Sequence, residues 1–365
     1  MNVASLLSAL PSGSRILIIR LRSIGDIILL TPALRLLKDW RPDLGVSVVV
    51  ENRFRPLLQG NPAVEEILEP GEGSGWKKLA TRFHAMRELR RRKFALCVNL
   101  HGGPTSRFLT WASGARWRAG FAHYRSPRLY NILVPDARVI LAQQSIHTAE
   151  HQASAFFHLG LPRKEIPRSE LYFGSEDGSW WREKYQELGI PPGQKYAIVH
   201  PAALYKTKEW APEKFAHLGK YLQASKGLVP IYSCGPGESG VLAAVENAMG
   251  AQIRRLEGAS LSQFAAALAG AHLFVGNDSG PAHMAAALSR PAVVIFGSSS
   301  SPIWGPWPRQ ASDAPARIVQ NPYECNPCPG DRCYRFERPE CILSISFEQV
   351  REAVEGVLAA ARGCP

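Results

Sequence analysis

Residues 273–288, LFVGNDSGPAHMAAAL, decide the fold class, because they pass from a buried strand into a helix within one short turn. The apolar run Leu273-Phe274-Val275 predicts a strand that is covered on both faces. Proline is favoured in the first turn of a helix, so Pro281 predicts a helix over residues 281–288. In open α/β sheets ligands bind beyond the carboxyl ends of strands, which makes the turn at 276–280 a candidate site.

The same alternation of apolar runs and helical periodicity extends along the whole chain. Around the quoted stretch we expect strands at 196–200, 228–233 and 292–296, and helices at 211–225, 241–249 and 261–269. In the first half we expect strands at 16–19, 46–50 and 94–100, and helices at 27–40 and 82–92. Continuous apolar strands that alternate with helices indicate an α/β fold with parallel sheets covered on both faces.

The length of the chain predicts two domains. It has 365 residues, whereas single hydrophobic cores stop growing at about 250–300 residues. Prolines cluster between residues 161 and 193, which marks a boundary. We expect an N-terminal domain at 1–175, a C-terminal domain at 176–345, and a terminal helix at 346–365 that could pack back on the N-terminal domain.

Positive charge is concentrated in one segment of the chain. Between Trp76 and Tyr130 there are 13 lysines and arginines and one acidic residue, Glu88, so this segment alone accounts for the net charge of +12. Such a segment predicts an anionic partner: a phosphorylated substrate, an anionic lipid surface or a nucleic acid. Residues 87–93 taken alone are also typical of a solvated helix face.

Neither a membrane span nor an export signal is predicted. A span needs ~20 uninterrupted apolar residues, and the best candidate, residues 16–37, is broken by four charged side chains. Residues 1–10 lack the basic start of a signal peptide. We therefore expect a cytoplasmic protein with reduced thiols.

Four of the seven cysteines lie close together. Their spacing, C-x2-C-x4-C-x7-C, has the ligand count and the first gap of a structural zinc site; they are Cys325, Cys328, Cys333 and Cys341. A structural zinc and a set of reduced loop thiols are equally compatible with this pattern, so the metal stays open.

The turn at 276–280 has the chemistry of a phosphate-binding loop. Gly280 allows a diphosphate to approach the backbone, and the free N–H groups at a helix start, near Ser279 and Pro281, bind anions. Asp278 is more plausible as a residue that fixes the loop or meets a hydroxyl. His283 lies in the first helical turn, where it either reaches the ligand or packs inside the protein. An ordinary capped helix is the alternative for the whole turn.

These residues also resemble a known family. Residues 256–261, 275–283 and 294–297 resemble the C-terminal signature of glycosyltransferase family 9, which includes the lipopolysaccharide heptosyltransferases. In the first half, residues 20–27 with 31–33 resemble the first-strand loop of the same family, and residues 99–102 and 119–121 resemble its later landmarks, in the family order. The resemblance implies a GT-B fold, in which two Rossmann-like domains with parallel sheets face a central cleft.

The resemblance also implies roles for single residues. Asp26 matches the aspartate that accepts the proton of the acceptor hydroxyl, and Lys208 matches a lysine that binds the donor diphosphate. Lys206 is the neighbouring lysine from which Lys208 must be distinguished. Arg107 lies in the basic segment and is a candidate for acceptor binding. Two loops, 201–204 and 297–302, depart from the family pattern.

The expected activity is inverting, metal-independent transfer of heptose from ADP-heptose to the lipid A–core acceptor of lipopolysaccharide, on the inner face of the cytoplasmic membrane. Another nucleotide-sugar or acceptor within the family is the alternative. A non-enzymatic nucleotide- or nucleic-acid-binding protein is less favoured, and no nucleic-acid partner is expected because no binding module is recognisable. An NAD-dependent oxidoreductase is disfavoured, because no Gly-x-Gly-x-x-Gly follows the first strand.

Overall fold

A computed structural model describes residues 3–71, 75–308 and 315–362, with the backbone alone for 75–82 and 362. The chain divides into two compact units, Met1–Glu170 and Leu171–Pro365. The sequence places this division five residues later, after residue 175. Among the described residues, no helix is long and apolar enough to cross a membrane.

The first unit is built on six parallel strands. They are Arg15–Ile19 (β1), Gly45–Val49 (β2), Glu66–Leu68 (β3), Leu96–Asn99 (β4), Trp117–Phe121 (β5) and Ile132–Val134 (β6). They are arranged in the order β3-β2-β1-β4-β5-β6. The predicted strands at 16–19, 46–50 and 94–100 are confirmed as β1, β2 and β4, and the side chains of Ile16–Ile19 are fully buried, as their apolar run requires.

Helices connect these strands. They are Leu6–Ala9 (α1), Ile24–Ile28 (α2), Thr31–Trp40 (α3), Gly75–Arg91 (α4), Pro104–Ala112 (α5), Ala137–Leu141 (α6) and Thr148–His158 (α7), with 3-10 turns at Val3–Ser5, Asn52–Leu57 and Pro127–Leu129. The prediction of one continuous helix over 27–40 is wrong, because it is two helices, α2 and α3. Pro32 has no N–H to donate to Ile28 and its ring would clash with that carbonyl. The hydroxyl of Thr31 donates to the Ile28 carbonyl instead, at 2.7 Å.

The second unit repeats this sheet. Its strands are Tyr196–His200 (β7), Val229–Ser233 (β8), Arg254–Leu256 (β9), Leu273–Asn277 (β10), Ala292–Ile295 (β11) and Ala316–Val319 (β12). Read from the other edge, the order β12-β11-β10-β7-β8-β9 is the same 3-2-1-4-5-6 order as in the first unit. The four strands predicted in this half are confirmed as β7, β8, β10 and β11.

The helices of the second unit cover this sheet. They are Ser175–Glu187 (α8), Pro212–Lys226 (α9), Ser239–Met249 (α10), Leu261–Ala269 (α11), Gly280–Ala287 (α12), Ser301–Trp304 (α13), Glu340–Leu343 (α14) and Phe347–Arg362 (α15), with a 3-10 turn at Lys206–Lys208. Val350, Val354 and Val357 of α15 are buried in the hydrophobic core of this unit. The expectation from the sequence is that a helix at 346–365 could pack back on the N-terminal domain. The buried valines of α15 instead belong to the core of the second unit.

The strand order identifies where a site belongs in each unit. In both sheets the order reverses between two central strands, β1 and β4 in the first unit and β7 and β10 in the second. Loops that leave these strands in opposite directions open a crevice at their carboxyl ends, and ligands bind there. Ligand-binding residues are therefore expected in the loops that follow β1, β4, β7 and β10.

Candidate active site

In the first unit, Asp26 lies in the first turn of α2, just after β1. One oxygen of its carboxylate accepts hydrogen bonds from the backbone N–H of Ser23 at 3.0 Å and from the Ser23 hydroxyl at 3.1 Å. This is the arrangement of a capping box, in which a carboxylate satisfies a free N–H group at the helix start. Asp26 therefore stabilises the end of α2, and its carboxylate is held in one orientation.

Arg20 is the second group that holds Asp26. It is the first residue after β1, and its guanidinium forms an ion pair with the other carboxylate oxygen of Asp26 and donates to the Leu100 carbonyl after β4. Both side chains of the pair are only 14% exposed. The guanidinium thus joins the loops of the two central strands, a role that the sequence analysis missed. The signal available in the sequence for this role was a positively charged residue directly after a strand and six residues before the candidate base.

Two histidines lie in the same neighbourhood of the first unit. Burial, followed by the positive charge of Arg20, lowers the pKa of His151 to about 4. The same two causes, with Arg22, lower the pKa of His101. The ring of His151 packs on Phe121, with 4.1 Å between the ring centroids. Both imidazoles are therefore uncharged at neutral pH and add no positive charge beside Arg20 and Asp26.

In the second unit, Lys208 and Asp278 form an ion pair of 2.8 Å between Nζ and Oδ2. Lys208 ends the 3-10 turn after β7, and Asp278 is the first residue after β10, so the pair spans the reversal point of this sheet. The lysine side chain is 23% exposed and the aspartate 7% exposed. The ammonium is therefore the accessible member of the pair, and Asp278 holds it. That Asp278 fixes the loop or meets a hydroxyl stays a prediction.

Lys206 is placed differently from Lys208. Its ammonium pairs with Glu209 in the same turn, at 2.6 Å, and its side chain is 81% exposed. An ion pair made by so exposed an ammonium contributes little free energy. The two lysines thus differ in exposure and in partner, and the donor-binding role of Lys208 stays a prediction.

The turn that carries Lys208 is fixed by buried contacts on both sides. Thr207 is buried and its hydroxyl donates to the Gly330 carbonyl. At Gly297, a Cβ atom would lie 2.5 Å from the Thr207 carbonyl, so only glycine permits this close approach. On the other side the Trp210 N–H donates to the Asn277 side chain at 3.2 Å, and the Asn277 amide donates to the Pro201 carbonyl at 2.7 Å. Asn277, another residue that sequence reasoning missed, therefore ties β10 to the loop of β7.

The helix α12 begins immediately after Asp278. Ser279 precedes its first turn, and the Ser279 hydroxyl donates to the Asn277 carbonyl at 3.2 Å rather than capping an amide. Gly280 and Pro281 follow in the first turn and are half-buried. His283 is buried, as the packed alternative for this residue requires. The first turn of α12 presents backbone N–H groups that favour an anion.

Comparison with known proteins identifies the family. Residues 82–335 match the sequence model of glycosyltransferase family 9 (heptosyltransferase), which is well over half of the chain. The chain belongs to glycosyltransferase family 9. It is therefore a glycosyltransferase, and the resemblance stated from the sequence is confirmed.

Relatives of this family 9 chain include heptosyltransferases. Lipopolysaccharide heptosyltransferase 3 of Escherichia coli is 27% identical over 303 residues, which cover 78% of this chain and 83% of the relative. A family 9 glycosyltransferase from Veillonella parvula has a TM-score of 0.81 at 21% identity, covering 98% of this chain and 99% of its own. ADP-heptose heptosyltransferase II of E. coli has a TM-score of 0.75 at 20% identity, covering 96% and 100%. The predicted GT-B fold class, with two units that each carry a parallel sheet, is confirmed.

Arg107, the candidate for acceptor binding, lies on α5 of this family 9 enzyme. It is half-buried, and its guanidinium donates to the Ser126 hydroxyl at 2.8 Å. The contact anchors the loop at residues 123–126 to α5. A role in acceptor binding stays a prediction. Three other basic residues of the segment, Lys77, Lys78 and Arg82, lie outside the side chains that the structure describes.

The four clustered cysteines are free thiols that line one cavity of about 200 Å³, together with Thr207 and Ser298. Burial raises the pKa of the Cys341 thiol to about 11, so this thiol is protonated at neutral pH. Within the described ranges, no three His, Cys, Asp or Glu side chains are grouped as ligands for a metal ion. The loop that carries the cysteines is tied to the loop after β11, because the Cys328 N–H donates to the Ser298 carbonyl at 3.1 Å.

Proposed function

We propose that this enzyme transfers heptose, with inversion, from ADP-heptose to the inner core of lipopolysaccharide. The observation that carries the proposal is the Lys208–Asp278 pair, which presents an ammonium beside the first turn of α12. The names of the relatives support heptose as the sugar, ADP-heptose as the donor and lipopolysaccharide as the acceptor. Another nucleotide-sugar or another acceptor within family 9 is the alternative.

The donor contacts follow from the chemistry of the second unit. An ammonium has three N–H donors, and Asp278 uses one of them, so two remain for the oxygens of a diphosphate. The backbone N–H groups near Ser279 and Gly280 supply further donors to the same anion. When the glycosidic bond to the diphosphate breaks, negative charge accumulates on the leaving oxygen. A fixed ammonium and helix amides stabilise that charge in the way that metal ions do elsewhere.

The acceptor chemistry falls to Asp26 of the first unit. An acceptor hydroxyl attacks the anomeric carbon from the face opposite the diphosphate, so one displacement inverts the configuration. The hydroxyl proton passes to the carboxylate of Asp26, which then carries a neutral carboxyl group. Arg20 and Ser23 keep the carboxylate oriented, and the half-buried, neutral His101 and His151 add no competing charge.

The test is a turnover assay with product analysis. ADP-heptose and a heptose-free lipid A–core acceptor should yield the heptosylated product with inverted anomeric configuration, while UDP- and GDP-sugars should not. Retained configuration, or turnover with another nucleotide-sugar only, would overturn the donor or the mechanism. A melting panel separates binding from turnover, since ADP at 100 times its Kd should stabilise the protein by about 2.7 kcal/mol.

The place of action is part of the same proposal. A lipid-linked acceptor is presented at a membrane surface, so we place the enzyme in the cytoplasm, as a peripheral protein on the inner face of the cytoplasmic membrane. The 13 basic residues between Trp76 and Tyr130 support an anionic partner for the first unit. Cell fractionation checks this: the protein should sediment with the inner membrane at low salt and be released at high salt.

The cysteine cavity adds a separate, structural element to the proposal. A zinc ion held by Cys325, Cys328, Cys333 and Cys341 would clamp the loop that supports Thr207 and Ser298. The transfer chemistry needs no metal. Metal analysis of the purified protein decides between zinc and free thiols: one zinc per chain that is lost in Cys325→Ser supports the zinc site, whereas metal-free protein excludes it.

A further inference from the structure

Helix α4 has a buried side and an exposed side. Leu89 is buried in the core, and Met86, one turn earlier, packs against the same cluster. Phe83, Arg87 and Arg90 are spaced i, i+4, i+7, which places them on one face of the helix, and all three are exposed. Phe83 is 64% exposed. Isolated exposed apolar residues are common in proteins, but this phenylalanine shares its face with two arginines.

A second exposed aromatic ring lies on the neighbouring helix. Trp111 of α5 is 49% exposed, and α5 packs beside α4. The Arg90 guanidinium of α4 lies 5.4 Å from the centre of the Trp111 ring. The two helices therefore present Phe83 and Trp111 with an arginine between them. We call the surface formed by Phe83, Arg87, Arg90 and Trp111 the α4–α5 face.

The charge of this face comes from Arg87 and Arg90. Glu88, the one acidic residue of the segment, pairs with Arg91 at 3.2 Å and with Arg92 at 3.1 Å. Arg87 and Arg90 are exposed, and no carboxylate of the described residues pairs with either of them. The face thus combines two uncompensated guanidinium groups with two aromatic rings.

We infer that the α4–α5 face binds the surface of an anionic lipid bilayer. Helices that lie in the membrane interface combine basic side chains, which attract anionic headgroups, with aromatic rings that enter the boundary of the acyl chains. Each basic residue near an anionic surface contributes to binding, and the contribution falls with salt. The inference rests on the proposed function in one respect, since a lipid-linked acceptor explains why the enzyme works at such a surface.

The test is co-sedimentation of the full-length protein with phosphatidylcholine vesicles, with and without phosphatidylglycerol. We expect binding to the anionic vesicles only, and release by salt. The double variant R87E/R90E should bind the anionic vesicles at least tenfold more weakly, because each charge is worth about 1 kcal/mol at such a surface. Phe83→Ala and Trp111→Ala should each weaken binding several-fold. The matched control is R182E/K220E, which reverses two exposed charges on α8 and α9 of the second unit and should bind as the wild type does.

Three outcomes would overturn the inference: equal binding to both kinds of vesicle, equal loss in R87E/R90E and R182E/K220E, or loss of duplex DNA binding without loss of vesicle binding. The last result would assign the face to a nucleic acid. The ADP-induced rise in melting temperature serves as a folding control and should be unchanged in R87E/R90E. A wild type that binds vesicles but not ADP would count against the proposed function and leave the membrane face intact.

Discussion

The two units share one strand order, and each places a carboxylate–cation pair at the point where that order reverses. In the first unit the carboxylate of Asp26 is held by Arg20 and by two groups of Ser23. In the second unit the accessible group is the ammonium of Lys208, and the more buried Asp278 holds it. In the function that we propose, the same construction positions a proton acceptor in one unit and an anion-binding group in the other.

The asparagines that end β4 and β10 show a parallel difference. Asn99 is buried, and its side-chain carbonyl accepts from the N–H groups of His101 and Gly102, so it shapes its own loop. Asn277 instead joins β10 to the loop of β7, which carries Lys208. The amide of Asn99 also donates to the hydroxyls of Thr110 and Tyr130, both at 3.0 Å. The contacts of Asn99 thus reach parts of the chain that follow β4, whereas those of Asn277 reach the loop of β7.

The largest effect is expected at Asp26. Asp26→Asn keeps the size of the side chain and most of its capping ability, so the fold should survive. It loses the proton acceptor, which should lower turnover about 10²–10⁴-fold. The measurement is kcat with the lipid A–core acceptor. Asp39→Asn on α3, which removes an exposed carboxylate paired with Arg35, is the control and should retain activity. Near-normal turnover of Asp26→Asn would reduce Asp26 to a helix cap.

The next effect is expected at Lys208. Lys208→Ala removes a charge-assisted contact to the donor, worth about 1.5–3 kcal/mol, so kcat/KM for the donor should fall about 10- to 150-fold. Lys206→Ala removes an exposed ammonium that pairs with Glu209 and should change kcat/KM little. Equal losses in the two variants would mean that Lys208 does not contact the donor in preference to Lys206.

A smaller effect is expected when Arg20 becomes lysine. Lysine keeps the charge but lacks the planar fork that reaches both Asp26 and the Leu100 carbonyl. We expect kcat to fall roughly tenfold, with unchanged ADP affinity, because a misplaced base lowers the efficiency of proton transfer. Unchanged kcat in Arg20→Lys would remove Arg20 from the site.

The smallest effect concerns the pH dependence of stability. Burial lowers the pKa of His200 and of His151 to about 4 in the folded protein. The unfolded chain binds protons near pH 6.5, so it takes up more protons than the native state as the pH falls from 7 to 5, and stability decreases over this range. Each histidine should contribute about 2 kcal/mol to this loss. Melting temperatures at pH 7 and 5 should differ less in His200→Asn than in the wild type; an equal difference would contradict the assignment to His200.

The central elements of the fold were predictable from the sequence, whereas the edges were not. Strands with continuous apolar runs, such as β1 and β7, are visible because burial on both faces leaves no polar positions. The unpredicted strands are short and are partly exposed or interrupted by polar residues; they are β3, β5, β6, β9 and β12. The break between α2 and α3 was readable at Pro32, but apolar periodicity across it favoured a single helix.

The candidate residues were predictable one by one, but their pairing was not. Lys208 and Asp278 are 70 residues apart, and only the neighbouring positions of β7 and β10 bring them together. Arg20 and Asn277 were missed because their role depends on reaching a loop from another strand. The exposed fraction of the side chain also distinguishes Lys208 from Lys206, and this fraction cannot be derived from the sequence.

The opposite roles of the two pairs are tested most directly by calorimetric titration of ADP into Asp26→Asn and Lys208→Ala, side by side with the wild type. If the first unit supplies the base and the second binds the diphosphate, Asp26→Asn should bind ADP with the affinity of the wild type. Lys208→Ala should then bind ADP at least tenfold more weakly, in line with the loss of one charge-assisted contact. Weakened ADP binding in Asp26→Asn with unchanged binding in Lys208→Ala would contradict this division of roles.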